Sequence, residues 1–205
     1  MNQFFFIEYQ HITNFSLNDL KIYSDSWCEK IADKSRKKES LLARFLLNKL
    51  CIKQFQKTIF ECGFKKNEFG KPYFEEYPEL NVSITHSHGY AWVAVSSSPI
   101  GIDFEKVELD KSEDLKIAFD SKDWDFVSDN SKLIYQYFSL KECYAKILGT
   151  GFTLEPSAIK LSQLAENSFV KFFENKGNVF IFTLIISQFK PTNFISSSPL
   201  SLDSL

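Results

Sequence analysis

Apolar and polar positions follow two different periods along this chain, and the period changes where the elements change. Gln3 to Tyr9 is a short aromatic and β-branched run that predicts a strand. Leu17 to Lys30 predicts a helix, and Ser35 to Phe55 a longer one. In the longer helix Leu42, Phe45, Leu46 and Leu50 recur every three or four residues as one buried stripe. On its flank Arg36, Ser40 and Arg44 stand at i, i+4 and i+8, which by spacing alone reads as a solvated polar edge. Residues Lys65 to Pro78 are turn-rich, and Pro72 stiffens the chain so that Lys71 is presented on an extended loop. The period then becomes two. Asn81 to Thr85 alternates, with Val82 and Ile84 facing one way, and ends in Thr85-His86-Ser87-His88-Gly89. Ala91 to Ser96 and Ile100 to Val107 follow, and their short Ser98-Pro99 connection predicts a hairpin.

In the second half Ser112 and Ser121 are candidate helix N-caps. Ser131 to Leu148 predicts a long helix with Ile134, Tyr137, Phe138, Tyr144, Ile147 and Leu148 on its apolar side, stopped by Gly149. Ile159 to Leu161, Phe169 to Phe173 and Val179 to Ser187 read as strands, with Lys176-Gly177-Asn178 as a turn. The Ser-rich tail, residues 191–205, is expected to be loose. Each half runs from helix to strands, the order of a duplicated α+β unit, and no low-complexity linker divides them.

Composition narrows the class. At 205 residues the chain can bury a core without disulfides or metals. With 44% hydrophobic and 24% charged residues, wholesale disorder is excluded. A net charge of −2 gives no general attraction to nucleic acid or to an anionic membrane. The 22 phenylalanines lack the interleaved basic residues of a nucleic-acid stacking platform, so they read as core filling. No apolar run approaches the roughly 20 residues of a membrane span. The start, MNQFFFIEYQ, has no basic n-region and is not expected to be a signal peptide. Cys28, Cys51, Cys62 and Cys143 show no zinc spacing, so free thiols in a reducing cytoplasm are expected.

The candidate chemistry is acidic. Asp103 and Glu105, two apart on a strand, project from one face while Ile102 and Phe104 enter the core. Gly101 before them allows a close approach. Two carboxylates on one face repel, and a hard cation such as Mg²⁺ resolves that; a solvated strand end with Lys106 as counter-charge is the simpler alternative. Glu142 shares a helix face with Lys146 at i+4, and Lys141 stands beside it. His86 is a base or a phosphate donor, or else a structural hydrogen-bonding residue. The Gly149-x-Gly151 turn is no nucleotide fingerprint, and no G-x-S-x-G elbow exists for a serine hydrolase.

Taken in order, these pieces resemble the 4′-phosphopantetheinyl transferase superfamily. Gly101-Ile102-Asp103-Phe104-Glu105 matches its signature G-[IV]-D-x-E. Phe138-Ser139-Leu140-Lys141-Glu142-Cys143-Tyr144-Ala145-Lys146 matches [FW]-[ST]-x-K-E-x-x-x-K. Gly70-Lys71-Pro72, Ser83-Ile84-Thr85-His86-Ser87 and Gly149-x-Gly151 occupy the surrounding positions. The likeness covers about residues 30–187, and the length points to the surfactin-synthetase-activating, two-lobe type.

The resemblance implies an α+β fold of two similar, pseudo-twofold-related lobes, residues 1–99 and 100–190, each a small antiparallel sheet packed with a long helix. The site would lie in the cleft between them. It implies Mg²⁺-dependent transfer of the phosphopantetheine arm of coenzyme A to a serine of an apo acyl or peptidyl carrier protein of fatty-acid, polyketide or nonribosomal peptide synthesis, with release of 3′,5′-ADP. Asp103, Glu105 and Glu142 would hold the metal, with Glu142 helping to deprotonate the serine and Lys146 binding phosphate. Lys71 and Pro72 would line the adenine and 3′-phosphate region, Thr85 and His86 would contact phosphate, and Arg36 and Arg44 match basic positions of the N-terminal helix. A monomer is expected. The rival readings are a coenzyme A-binding module without transferase activity, a Mg²⁺-dependent phosphohydrolase, and an interaction protein.

Overall fold

The computed structural model of the chain describes residues 4–149, 155–164 and 168–187, and structural statements below concern those residues. Gln3, Gly151 and the tail 191–205 lie outside them. Four layers stack in the order helix, sheet, sheet, helix. The first sheet has the order β1-β5-β4-β3-β2, built from β1 (Phe5–His11), β2 (Phe64–Lys66), β3 (Pro72–Phe74), β4 (Asn81–Ser87) and β5 (Tyr90–Ser96). The second is β6-β8-β7, from β6 (Ile100–Lys106), β7 (Ser168–Asn175) and β8 (Asn178–Ile186). All described pairings are antiparallel.

Side-chain alternation makes the layering. Along β5, Ala91, Val93 and Val95 join Leu42, Leu46 and Leu50 of helix α3 (Lys34–Phe55) in one core. The intervening Tyr90, Trp92 and Ala94 face Ile102, Phe104, Phe180, Phe182 and Leu184 of the second sheet. A strand buried on both faces reads as a continuous apolar run, which is how this one appears in the sequence. β6 divides likewise: Ile100, Ile102 and Phe104 enter the inter-sheet core, so Gly101, Asp103 and Glu105 turn towards helix α5 (Ser131–Leu148).

Several expected elements differ. The Leu17–Lys30 helix is broken into α1 (Leu17–Leu20), a 3-10 turn (Lys21–Tyr23) and α2 (Ser26–Glu29). Two strong caps cut it. Ser16 and Asp19 form a capping box, and the Asp25 carboxylate accepts from the N–H groups of Trp27 and Cys28. β5 and β6 are not a hairpin; they lie in different sheets, and β5 pairs instead with β1 and β4. The tight β4–β5 turn is His88-Gly89, both at positive φ. Ser112 sits inside a 3-10 segment (Leu109–Ala118), and Ser121 is the first residue of α4 (Ser121–Val127), which Asp120 caps. Ile159 to Leu161 is no strand, because a 3-10 turn (Pro156–Ala158) precedes it and another begins at Leu161. The buried side of α5 is Ile134, Tyr135, Ser139, Leu140, Lys141 and Cys143, and Leu148 is exposed. The Arg36–Ser40–Arg44 edge is not solvated along its length, since Ser40 and Arg44 are buried.

Candidate active site

Position 101 sets the distance between β6 and α5. A Cβ there would stand 2.0 Å from the carbonyl oxygen of Cys143 and 2.7 Å from its carbon, so only glycine permits this approach. The approach lets Lys146 reach back across the gap. Its ammonium donates to the Ile102 carbonyl at 2.9 Å and to Asp103 Oδ1 at 2.8 Å. Asp103 is buried, and Ser139, four residues along α5 from Cys143, donates to its Oδ2 at 2.8 Å. Thr85 completes the shell, donating to Asp103 Oδ1 at 3.4 Å.

β4 meets β6 through a row of hydroxyls at alternate positions. Ser83 Oγ accepts from the Ile102 N–H at 3.0 Å, Thr85 donates to Asp103, and Ser87 donates to Glu105 Oε2 at 3.2 Å. The Ser-x-Thr-x-Ser spacing of β4 therefore anchors the acidic strand of the other sheet, residue by residue.

Two adjoining cavities open beside this seam. One, about 280 Å³, is ionic, lined by Asp103, Glu105, Glu142, Lys146, Thr85 and His86, with Lys66 also on its wall. The other, about 230 Å³, is mostly apolar, with Phe69, Pro72, Val82, Ile84 and Ala145 among its lining. Gly70, Pro72, Ile84, Glu142 and Lys146 border both.

The ionic cavity carries excess negative charge. Burial first and the Asp103 charge second push the Glu105 carboxyl up to about 7, against the pull of Lys146. Burial also raises Glu142; Lys146 opposes it, and Asp103 adds to it. Burial depresses the Lys146 ammonium, but Asp103 outweighs that and leaves it above an ordinary lysine. Three carboxylates share a cavity with one paired lysine, and two of them are hard to ionise there. That donor set suits a hard divalent cation, which relieves the repulsion with oxygen ligands. Among the described residues no three such groups converge to hold an ion by themselves, so a Mg²⁺-type ion would take one or two of these carboxylates and complete its shell with other oxygens.

The other expected residues fall into three groups. Pro72, Thr85 and His86 line the cleft. His86 Nδ1 is buried without a hydrogen bond, 3.5 Å from Oε2 of Glu39; Glu39 also accepts the Gly89 N–H at 2.6 Å. Lys71 borders the apolar cavity, but its ammonium is engaged, donating to the Ile147 carbonyl at 2.6 Å. Arg44 does not line either cavity. It is buried, bonded to Asp25 at 2.7 Å and to Ser40, with its guanidinium over Phe64. Arg36 is exposed in the first turn of α3 and lines neither cavity. Lys141, next to Glu142 in sequence, points away from the cleft, donating to Asp123 at 3.4 Å and to the Pro156 carbonyl.

Sequence reasoning missed Lys66, Asn67, Glu39 and the hydroxyl of Ser139 as an Asp103 partner. Asn67 organises the 67–71 turn by accepting from the N–H groups of Phe69 and Lys71, and its amide donates to the Gly149 carbonyl at the end of α5. Only Ser139 carried a sequence signal, since it occupies the hydroxyl position of the helix signature. The other three depend on which elements meet in space.

Fold and cleft together define a class: an α+β protein of two sheet-and-helix units whose seam holds an acidic, lysine-countered cavity. Comparison with known proteins reaches the same place. Residues 99–192 match the family model of the 4′-phosphopantetheinyl transferase superfamily. The chain is similar to the 4′-phosphopantetheinyl transferase Sfp of Bacillus subtilis, 27% identical over 132 residues, 62% of this chain and 59% of that protein. It is 30% identical over 120 residues to the 4′-phosphopantetheinyl transferase gsp of Aneurinibacillus migulanus, 55% of this chain and 48% of that one. It is 27% identical over 112 residues to the L-aminoadipate-semialdehyde dehydrogenase-phosphopantetheinyl transferase of Candida glabrata, 48% of this chain and 43% of that one. The chain thus spans three fifths or less of the length of these relatives. The resemblance read from the motifs is borne out.

Proposed function

We propose that this chain transfers the 4′-phosphopantetheine arm of coenzyme A to a serine hydroxyl of an apo acyl or peptidyl carrier protein. The observation that carries the reading is the gathering of Asp103, Glu105 and Glu142 around Lys146 in one cavity. The named activity of the relatives supports it. In this reading Asp103, Glu105 and Glu142 hold Mg²⁺, which when bound neutralises the pyrophosphate and makes its phosphorus more electrophilic.

The chain's own groups do the rest. Glu142, whose carboxyl is raised by burial, takes the proton of the carrier serine. The serine oxygen forms a bond to the phosphorus bearing the pantetheine arm as the pyrophosphate P–O bond breaks, and 3′,5′-ADP leaves. Lys146, kept protonated by Asp103, offsets the charge that accumulates on the phosphate oxygens. Ser139 and Thr85 orient Asp103, and Ser87 orients Glu105. His86 and Thr85 face phosphate, while Lys71 and Pro72 border the nucleotide. Of the helix arginines, Arg36 is free to meet a phosphate at the rim, and Arg44 acts by fixing Asp25. We take 1–99 and 100–190 as the two lobes and the working form as a cytoplasmic monomer. No helix of the described residues is long and apolar enough to cross a membrane.

Mass spectrometry of apo fatty-acid, polyketide and peptidyl carriers after incubation with the protein, coenzyme A and Mg²⁺ tests this. One added phosphopantetheine arm, lost with EDTA and with Glu142→Ala, is the expected result. Coenzyme A binding with no carrier modified would replace the reading with that of a non-transferring binder.

A further inference from the structure

Helix α5 carries Ser139, which holds Asp103, and Glu142 and Lys146, which line the ionic cavity. A helix leaves its last carbonyls without partners of its own, and α5 ends at the border of the apolar cavity, where Gly149 is part of the wall. The Gly149 N–H closes on the Ala145 carbonyl at 2.9 Å. The carbonyls of Ile147 and Gly149 are met instead from the first sheet. Asn67 Nδ2 donates to the Gly149 carbonyl at 3.2 Å, and Lys71 Nζ donates to that of Ile147 at 2.6 Å. Both residues belong to the turn between β2 and β3.

That turn is shaped to present the two donors. Asn67 Oδ1 accepts the N–H groups of Phe69 at 3.0 Å and Lys71 at 2.8 Å. The Asn67 N–H donates to the Lys71 carbonyl, and its carbonyl accepts the Gly70 N–H, both at 2.9 Å. One side chain therefore folds the turn with its oxygen and grips the helix with its nitrogen, which takes an amide, since a carboxylate has no hydrogen to give. Gly149 admits the second donor, because a Cβ there would stand 2.4 Å from Cδ of Lys71. Burial disfavours the Lys71 ammonium, but it rests on the negative end of the α5 dipole.

α5 is thus held from both sheets. Gly101 seats it on β6 at Cys143, and the 67–71 turn holds its end to the first sheet. Lys146 lies between the two supports. Without the second, the end of the helix is free to pivot about Cys143 and carry Lys146 away from Asp103.

We propose that Asn67 is a positioning residue: its amide ties the end of α5 to the first sheet across the cleft and so sets where Lys146 and Glu142 meet the reacting phosphate. This assignment rests on the transferase reading above.

The test compares the wild type with Asn67→Asp, Asn67→Ala and Asn130→Ala. Asn67→Asp keeps the oxygen that folds the turn and removes the donor to Gly149. Asn130→Ala is the control, since Asn130 caps the other end of the same helix by accepting the Leu133 N–H at 3.1 Å and lines neither cavity. Amide hydrogen exchange by NMR at residues 69–71 and 146–149 is read beside Tm and the KM and kcat of carrier modification. In Asn67→Asp, exchange at 146–149 should quicken about fivefold, the loss of one hydrogen bond, while 69–71 stays as in wild type. Its kcat should fall about tenfold, with KM for coenzyme A within about twofold because the turn keeps its shape. Asn67→Ala should also loosen 69–71. Asn130→Ala should lower Tm by about 2–4 °C and leave kcat within about twofold. A wild-type kcat in Asn67→Asp, unchanged exchange at 146–149, or an equal kcat loss in Asn130→Ala overturns the assignment, while a transferring wild type leaves the transferase reading intact. A wild type that modifies no carrier overturns both.

Discussion

Replacing Gly101 by alanine probes the close approach on which the whole site depends. The new methyl would lie 2.0, 2.7 and 3.0 Å from the oxygen, carbonyl carbon and Cα of Cys143, all backbone atoms of α5 that no rotamer change can move. Ordinary contact begins at 3.4 Å, so strand and helix must part by about 1.4 Å along the shortest line. Overpacking a dense core costs about 1–3 kcal/mol, and a clash with backbone belongs at the upper end. For a chain of this length about 3 kcal/mol lowers Tm by roughly 6–12 °C. The catalytic loss should be larger than the stability loss. Lys146 spans the same gap to Ile102 and Asp103 with bonds of 2.9 and 2.8 Å, which a shift of that size breaks. Misplacement by about 1 Å costs on the order of a hundredfold in rate. Thermal unfolding and the mass assay on a carrier give both numbers. Gly177→Ala is the control, because nothing lies within 4 Å of its added carbon and only its positive φ is strained. If Gly101→Ala melts within about 1 °C of wild type and transfers normally, the argument that this glycine sets the β6–α5 distance is wrong.

Other substitutions separate site from scaffold. Lys141→Met leaves the half-buried carboxylate of Asp123 with the Leu161 N–H but without its lysine; it should cost about 2 kcal/mol by urea unfolding yet leave the KM and kcat of the proposed transfer unchanged. Lys146→Met should abolish transfer and also cost about 3 kcal/mol, since the buried Asp103 carboxylate keeps only the hydroxyls of Ser139 and Thr85; the loss of transfer in protein that still folds is what separates it from Lys141→Met. Asp25→Ala strands the buried Arg44 and removes the cap of α2, at a cost of about 3 kcal/mol or more near neutral pH. Burial pushes the Asp25 carboxyl up, but the Cys28 N–H and Arg44 outweigh it and hold it below the ordinary value of 3.8. Its stabilisation is therefore present above that pH and lost as the pH falls through the folded value, so variant and wild type should converge in acid unfolding. On the proposed metal binding, Mg²⁺ should raise the Tm of wild type over that in EDTA and lose this effect with Glu142→Gln; an equal shift in both would remove Glu142 from the proposed ligands.

Much of this was legible in the chain itself. Alternation along Asn81–Ser87 and Ile100–Lys106 fixed which residues share a face, so Asp103 and Glu105 point together while Ile102 and Phe104 are buried. The span of α5, its stop at Gly149 and the Glu142–Lys146 face follow from spacing and from one glycine at φ 70°. These are local properties, decided by neighbours within a turn or two of the chain. Partnership between distant segments is not local. A Ser-Pro connection suits a hairpin as well as a crossover, and only the competition of β1 and β4 for β5 made it the passage between sheets. Arg44 looks solvated by its spacing but is buried, because Asp25 arrives from the preceding turn to pair with it. The same holds for Asn67 and Lys71 at the end of α5, for Glu39 behind His86, and for Lys66 on the cavity wall. Sequence period determines which face a residue takes. What that face meets is settled by the packing of four layers, and burial there decides whether a charge is a surface ornament, a structural pair or a binding group.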